Sequence, residues 1–253
     1  MENFISLSSV TKLYKSGETI VTEDTLLCEK RISLVVDSCK STDAVITYGH
    51  EKEWAVGNLF CRRIINSVSE IANITQSDTT IDVTTDKTAP QSRMTSHGDI
   101  HIPVSTKFSF DTVMSAVEWL SHASLFNKTG CVHSAAFVRC DNTRICLFED
   151  ISRHNAVDKA IGYMLINNID TSECLLAVSG RVPEDMAQKA AAAGVPVIAS
   201  ISAATAEGVR VALKFGITLI GFARDTRMNV YSFPERIVPP KYSDSTSVHT
   251  ALN

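Results

Sequence analysis

From residue 134 onward, short apolar runs alternate with helix-patterned runs, and this narrows the possible folds more than any other feature of the chain. HSAAFVRC and RICLFED flank an Asp-Asn turn and read as a hairpin. RHNAVDKAIGYMLINN follows, with Val157, Ala160, Ile161, Met164 and Leu165 on one helical face. CLLAVS, VPVIAS and ITLIGF are short apolar strands. The runs between them are helical: one carries Pro183 in its first turn and closes at Gly194, and the other, ATAEGVRVALKFG, ends at Gly216. The order is β, β, α, β, α, β, α, β. It predicts an α/β fold with a mostly parallel sheet and helices on both faces.

The segment before it is less regular. Strands are expected over Ile32–Val36, Ala44–Thr47 and within TTIDVTT, with a helix from Glu51 to Ile65. DKTAPQSRMTSHGDIHIPVSTK reads as a long mobile loop near 86–107. A helix carrying Val113, Met114, Val117 and Leu120, with Asp111 as its cap, opens the second half. Residues 1–108 therefore read as a smaller N-terminal α+β part and residues 109–253 as the main α/β domain. The tail KYSDSTSVHTALN reads as loosely ordered.

Composition excludes several classes. The chain has 253 residues, 44% of them hydrophobic and 21% charged, which is enough to bury a core without disulfides or metals. A formal net charge of −4 argues against a nucleic-acid partner, so any phosphate must be held by a local arginine cluster. No apolar run at the N-terminus is long enough for a signal peptide or a membrane span, so a cytoplasmic protein is expected. The seven cysteines, at 28, 39, 61, 131, 140, 146 and 174, form no C-x-x-C and no regular disulfide framework.

In open α/β sheets, ligands bind beyond the carboxyl ends of the strands. After RICLF comes Glu149-Asp150-Ile151-Ser152-Arg153-His154-Asn155; after CLLAV comes Ser179-Gly180-Arg181. Ser200, Ser202 and Thr205 follow VPVIA. Phe222-Ala223-Arg224-Asp225-Thr226-Arg227 follows ITLIG. Arg153, His154, Arg181, Arg224 and Arg227 thus crowd one edge, with Ser179 and Ser202 beside them. Guanidinium forks match phosphate, and helix starts add a positive dipole end. Phe222 offers a ring to stack on a base or a pterin. The plainer reading makes the hydroxyls ordinary caps, and pairs Arg153 with Glu149 or Asp150 and Arg181 with Glu184 or Asp185.

These same residues carry a family resemblance. EDISRHNAVDK at 149–159 resembles the E-D-V-G-R-H-N-A-V-D-K signature of the formate dehydrogenase accessory (FdhD/NarQ) family. Ser179-Gly180-Arg181, Lys189 to Ala193, Gly221-Phe222-Ala223-Arg224, Thr129-Gly130-Cys131-Val132-His133 and, more weakly, the stretch from Thr47 to Gly57 are similar to further blocks of that family. The likeness spans about residues 30 to 237. It implies a cytidine-deaminase-like fold and a sulfur carrier or sulfurtransferase role. Sulfur would come as a persulfide from a cysteine desulfurase. It would pass to the bis-molybdopterin guanine dinucleotide form of the molybdenum cofactor, destined for formate dehydrogenase. GDP is then a partial mimic of the ligand, and the cofactor-binding stretch falls on Phe222 to Arg227. A homodimer fits the exposed edges such sheets have.

One departure matters. The family's loop bears S-S-C-G-x-C-G, and its cysteines carry the persulfide; here His97 and Ile100 stand in their places. Neither side chain holds sulfur. Cys131, where the family has glycine, lies two residues before His133 and is the candidate substitute thiol. The alternative is a cofactor-binding chaperone that transfers no sulfur. His97, His101, Cys131 and His133 are metal-ligand types, but a zinc deaminase needs H-x-E with P-C-x-x-C and neither occurs, so no metal is assigned and a deaminase-like hydrolase is disfavoured.

Overall fold

The computed structural model describes residues 4–86, 88 and 101–240. The sites of His97 and Ile100, most of the loop near 86–107 and the tail from Lys241 lie outside the described residues.

Strands β1 (Ile5–Leu13) and β2 (Thr19–Leu27) form an antiparallel hairpin. Strands β3 (Glu29–Val36), β4 (Cys39–Thr47), β5 (Ile71–Gln76) and β6 (Thr80–Thr85) form a four-stranded sheet ordered β4-β3-β6-β5. Helix α1 (Glu51–Cys61) covers it. Ile32, Leu34, Ile46, Ile81 and Val83 pack there against Trp54, Ala55 and Leu59.

The chain continues through β7 (Phe108–Ser109), α2 (Phe110–Trp119), α3 (Ser124–Thr129), β8 (His133–Arg139), β9 (Arg144–Asp150), α4 (Arg153–Ile166), β10 (Cys174–Val178), α5 (Glu184–Ala192), β11 (Val197–Ser200), α6 (Ala206–Phe215), β12 (Thr218–Arg224), β13 (Arg227–Val230) and β14 (Ile237–Val238). The central sheet runs β13-β12-β11-β10-β8-β9. Along β10 the side chains alternate strictly. Cys174, Leu176 and Val178 meet the core shared with α4, α5 and α6, while Leu175 and Ala177 meet the core shared with α2. Both faces are covered, which is why these strands read as unbroken apolar runs.

The sheet is mixed, which corrects the expectation of a mostly parallel one. Only β10–β11 and β11–β12, joined by the α5 and α6 crossovers, are parallel. The β8–β9 hairpin joins through β8, antiparallel to β10, and β13 returns from β12 across a two-residue turn. Element order was readable locally; strand neighbours were not.

Smaller differences are physical too. Ser109, not Asp111, caps α2, because its hydroxyl accepts the Thr112 N–H at 2.9 Å while Asp111 already lies inside the helix. Helix α1 stops at Cys61 rather than reaching Ile65. The last part of the long loop is anchored: Ile102 N–H donates to Phe215 O, and the fully buried Arg236 donates to the carbonyls of Ile102 and Pro103. Among the described residues no helix is long and apolar enough to cross a membrane.

Helices α1 and α4 join the two sheets at a crossing of two glycines. A Cβ on Gly57 would lie 1.9 Å from Asp158 O, and one on Gly162 would lie 1.8 Å from Glu53 O. Only hydrogen fits at either position.

Candidate functional site

The ends of four strands are tied to one another along one edge. Ser179, following β10, accepts the Ser134 N–H of β8 at 2.9 Å. The Ser200 hydroxyl, ending β11, donates to Gly180 O at 2.7 Å. Phe222 N–H, in β12, donates to Ser202 O at 2.9 Å. Ser179, Ser200 and Ser202 are thus linkers between strand ends; of the predicted hydroxyls only Thr205 caps a helix, accepting Gly208 N–H.

A cavity of about 440 Å³ opens at this edge, the size of an ordinary small-molecule site. Cys131, His133 and Ser179 form its polar end, and Val117, Leu120, Phe126, Ile151 and Ile201 supply apolar walls. Cys131 is exposed. It follows Gly130, which closes α3 at φ +64, and its N–H donates to Thr129 Oγ1 at 3.2 Å. His133 Nδ1 lies 3.2 Å from Ser179 Oγ. Burial lowers the His133 pKa, and the Arg153 charge lowers it further, so the imidazole is neutral at pH 7.

The residues of the 149–159 signature divide into two groups. Asp150 is fully buried and accepts from Thr47 N, Ser152 N, Asn155 Nδ2 and Lys159 Nζ at 2.8–3.0 Å. Lys159 also donates to Thr47 O, Asn155 donates to Val45 O and accepts from Trp54 Nε1, and Asn58 donates to Asp158. Glu149 accepts the N–H groups of Leu125 and Phe126 at the start of α3. The contacts of Asp150, Asn155, Asp158 and Lys159 are struts between the two sheets, whereas Glu149 ties β9 to α3. His154 instead ties α4 to α5: its Nε2 is 3.4 Å from Asp185. Its pKa is lowered, chiefly by burial, with Asp185 pulling the other way.

Arg153 is different. Its stem lies against Gly180, where a Cβ would come within 2.9 Å of its Cδ, and its Nε is buried without a hydrogen-bond partner. The carboxylates that could have neutralised the arginines are engaged elsewhere: Glu149 and Asp150 as above, Asp185 with His154, and Glu184 with Arg210 at 3.8 Å. Among the described residues, Arg153, Arg181, Arg224 and Arg227 pair with no carboxylate.

The stretch from Phe222 to Arg227 is a hairpin end rather than a loop. Arg224 and Arg227 face each other across the turn of Asp225 (φ +58) and Thr226, and all four are exposed. Arg224 lies over the Phe222 ring at 5.7 Å, and Phe222 itself is held at φ +51, a strained setting for a bulky residue. Ala223 is buried against the α2 side, so only its backbone can meet a ligand. Arg181 is exposed at the same edge; neither it nor Arg224 or Arg227 lines the Cys131 cavity. The apolar walls from α2 and from Ile151 and Ile201 were not foreseen, because their spacing looks the same as that of core residues.

Fold and site together define a mixed α/β protein with a thiol-bearing cavity at its strand ends, flanked by arginines free of carboxylates. The chain belongs to the FdhD/NarQ family, whose sequence model matches residues 27–238. It is 31% identical over 240 residues to a protein of Sulfolobus acidocaldarius named sulfur carrier protein FdhD, covering 88% of this chain and 95% of that one. It is 49% identical over 114 residues to one of the same name from Thermoplasma volcanium, but that match spans only 45% of this chain and 41% of the relative. A crystal structure of a protein described as a formate dehydrogenase accessory protein, from Desulfotalea psychrophila, superposes with a TM-score of 0.82 at 24% identity, over 93% of this chain and 100% of that one. At that identity the likeness speaks for the fold.

Proposed function

We propose that the chain is a sulfur carrier for formate dehydrogenase maturation, with Cys131 as the carrier thiol. The observation that carries this is the state of the seven cysteines. Cys131 alone is both exposed and set in the cavity at the strand ends. Burial pushes the Cys146 thiol up to about 12 and the Cys174 thiol to about 11, and holds Cys61 well above the ordinary range, which keeps them out of thiolate chemistry. Cys39 is exposed but lies at the β3–β4 turn.

The step is a transfer of sulfane sulfur. Neutral His133, set by Ser179, accepts the Cys131 proton. The Cys131 thiolate attacks the outer sulfur of a persulfide on a cysteine desulfurase, that S–S bond breaks, and the donor cysteine leaves as thiolate. The acceptor would be the bis-molybdopterin guanine dinucleotide cofactor. Arg153, Arg181, Arg224 and Arg227 suit its phosphates, and Phe222 suits a ring. The buried Arg153 Nε, without a hydrogen-bond partner, favours an anion there. The family name of the relatives supports the client; a cytoplasmic location and a cytidine-deaminase-like ancestry of the central sheet are parts of the same proposal. A homodimer is supported by the exposed Leu7, Leu13 and Val21 of the β1–β2 hairpin.

The second reading, a cofactor-binding chaperone without sulfur transfer, is favoured by one fact: no C-x-x-C exists anywhere in the chain. Intact-mass measurement after incubation with a desulfurase and cysteine separates the two. One added sulfur atom, lost on Cys131→Ala, is expected; a chain without any adduct leaves only the chaperone. In either case GDP is expected to raise the melting temperature, and Arg224→Ala combined with Arg227→Ala to remove that rise by deleting charge-assisted contacts to phosphate.

A further inference from the structure

A second cavity, of about 480 Å³, lies across α3 from the first and shares no lining residue with it. Residues Ser124, Leu125 and Lys128 of α3 face it, whereas Phe126 and Gly130 face the Cys131 cavity. Its other walls come from the start of β1, the β4–α1 connection and the end of β9, three elements far apart in sequence. Apart from Glu149, none of these residues belongs to the strand-end edge described above.

The walls are aromatic and arranged in pairs. Phe4 meets Tyr48 edge-on, with centroids 6.5 Å apart at 76°. His50 meets Phe148 edge-on at 4.8 Å and 84°. In an edge-on pair one ring gives its edge and the other a face; Phe148, 5% exposed and packed also against Tyr163, forms the floor, while Tyr48 and His50 stand at the opening. His50 holds φ +62, the left-handed region that non-glycine residues rarely adopt; its side chain makes no capping hydrogen bond, and its Nδ1 lies 3.8 Å from Glu53. Strain of that kind persists where surrounding structure imposes it and clusters at ligand sites. Lys128 is exposed at the rim and makes no ion pair among the described residues, while Lys30, over the Tyr48 ring at 5.4 Å, is already bound to Glu51 at 2.8 Å. The one carboxylate in the lining, Glu149, is occupied by two α3 amides.

We propose that this cavity is a second binding site, for a planar heteroaromatic ring that carries an anionic group. The ring stacks against Tyr48 and His50, and the anion meets the Lys128 ammonium. The volume fits one such bicyclic ring, and stacking contributes about 1–3 kcal/mol per ring.

The test uses the full chain and pterin-6-carboxylate, whose fluorescence reports stacking, with uncharged pterin as the comparison. Saturable quenching is expected, tighter for the carboxylate than for pterin. Lys128→Glu is expected to weaken the carboxylate about tenfold, equivalent to about 1.4 kcal/mol, and to remove its advantage over pterin. His50→Gly relieves the backbone strain and so preserves the fold, yet is expected to weaken both ligands. Arg224→Ala with Arg227→Ala is expected to leave both unchanged, which keeps this site separate from the strand-end edge. Absence of saturable binding overturns the proposal, as does binding that survives both Lys128→Glu and His50→Gly, or that disappears with the arginine pair.

Discussion

His133 shows how much one side chain's surroundings decide. Its proton is held less tightly in the folded chain than in the unfolded one, because burial and Arg153 both disfavour the imidazolium. Below the unfolded value of about 6.5, the unfolded state therefore binds more protons and folding loses stability; above it both states are neutral and the effect vanishes. The difference in melting temperature between the parent and His133→Gln should be constant around pH 8 and change as the pH falls through the sixes, with the parent losing more. Parallel curves over the whole range would mean that the imidazole is as well solvated in the fold as out of it. The same neutrality is what lets His133 act as a base beside Cys131, so this titration bears on chemistry as well as stability.

At the scale of elements, the α1–α4 crossing is the tightest feature of the chain. Methyl groups at Gly57 or Gly162 would sit inside the opposite backbone, so the helices must separate to admit them. Gly57→Ala should cost about 3 kcal/mol or more by overpacking, read as a shift of the urea midpoint, whereas Gly17→Ala, in open space at the tip of the β1–β2 hairpin, should cost less because only its φ of +90 is strained. The crossing was invisible beforehand: a glycine inside a helical pattern reads as a weak point until its neighbour is known. By contrast, β8 to β12 and α4 to α6 were legible, since burial on both faces leaves apolar strands bounded by Gly, Pro and polar turns. The β1–β2 hairpin was not, because it is solvated on both faces and its Ser, Thr and Leu residues follow no alternation. The strand-end rule found the edge carrying Ser179 and Arg153, and Cys131 came only from the family resemblance; neither could find walls contributed by α2.

For the molecule as a whole, the question is whether two sheets behave as one folding unit. Reading the sequence divides the chain near residue 108, and each side has its own hydrophobic core. Yet the polar ties between the sides are buried: Asp150 and Lys159 are 0% and 1% exposed and reach Thr47 from both ends of its peptide unit. A buried ion pair that loses one partner strands the other charge, at a cost of about 3–5 kcal/mol. Lys159→Met does this to Asp150 and orphans Thr47 O in the same stroke. The chain's two tryptophans make the outcome readable by side, since Trp54 sits in the core of the four-stranded sheet and Trp119 packs beside α2's core, with Arg144 5.1 Å from its ring. Single-tryptophan versions, Trp119→Phe and Trp54→Phe, should each show the Lys159→Met loss on their own fluorescent side. If the sheets are one unit, both reporters move by the same amount and each transition coincides with the far-ultraviolet dichroism of its own variant. A shift confined to the Trp54 reporter would instead make the N-terminal sheet a separate domain resting on α4, and the struts of the 149–159 signature would then be an interface and not a shared core.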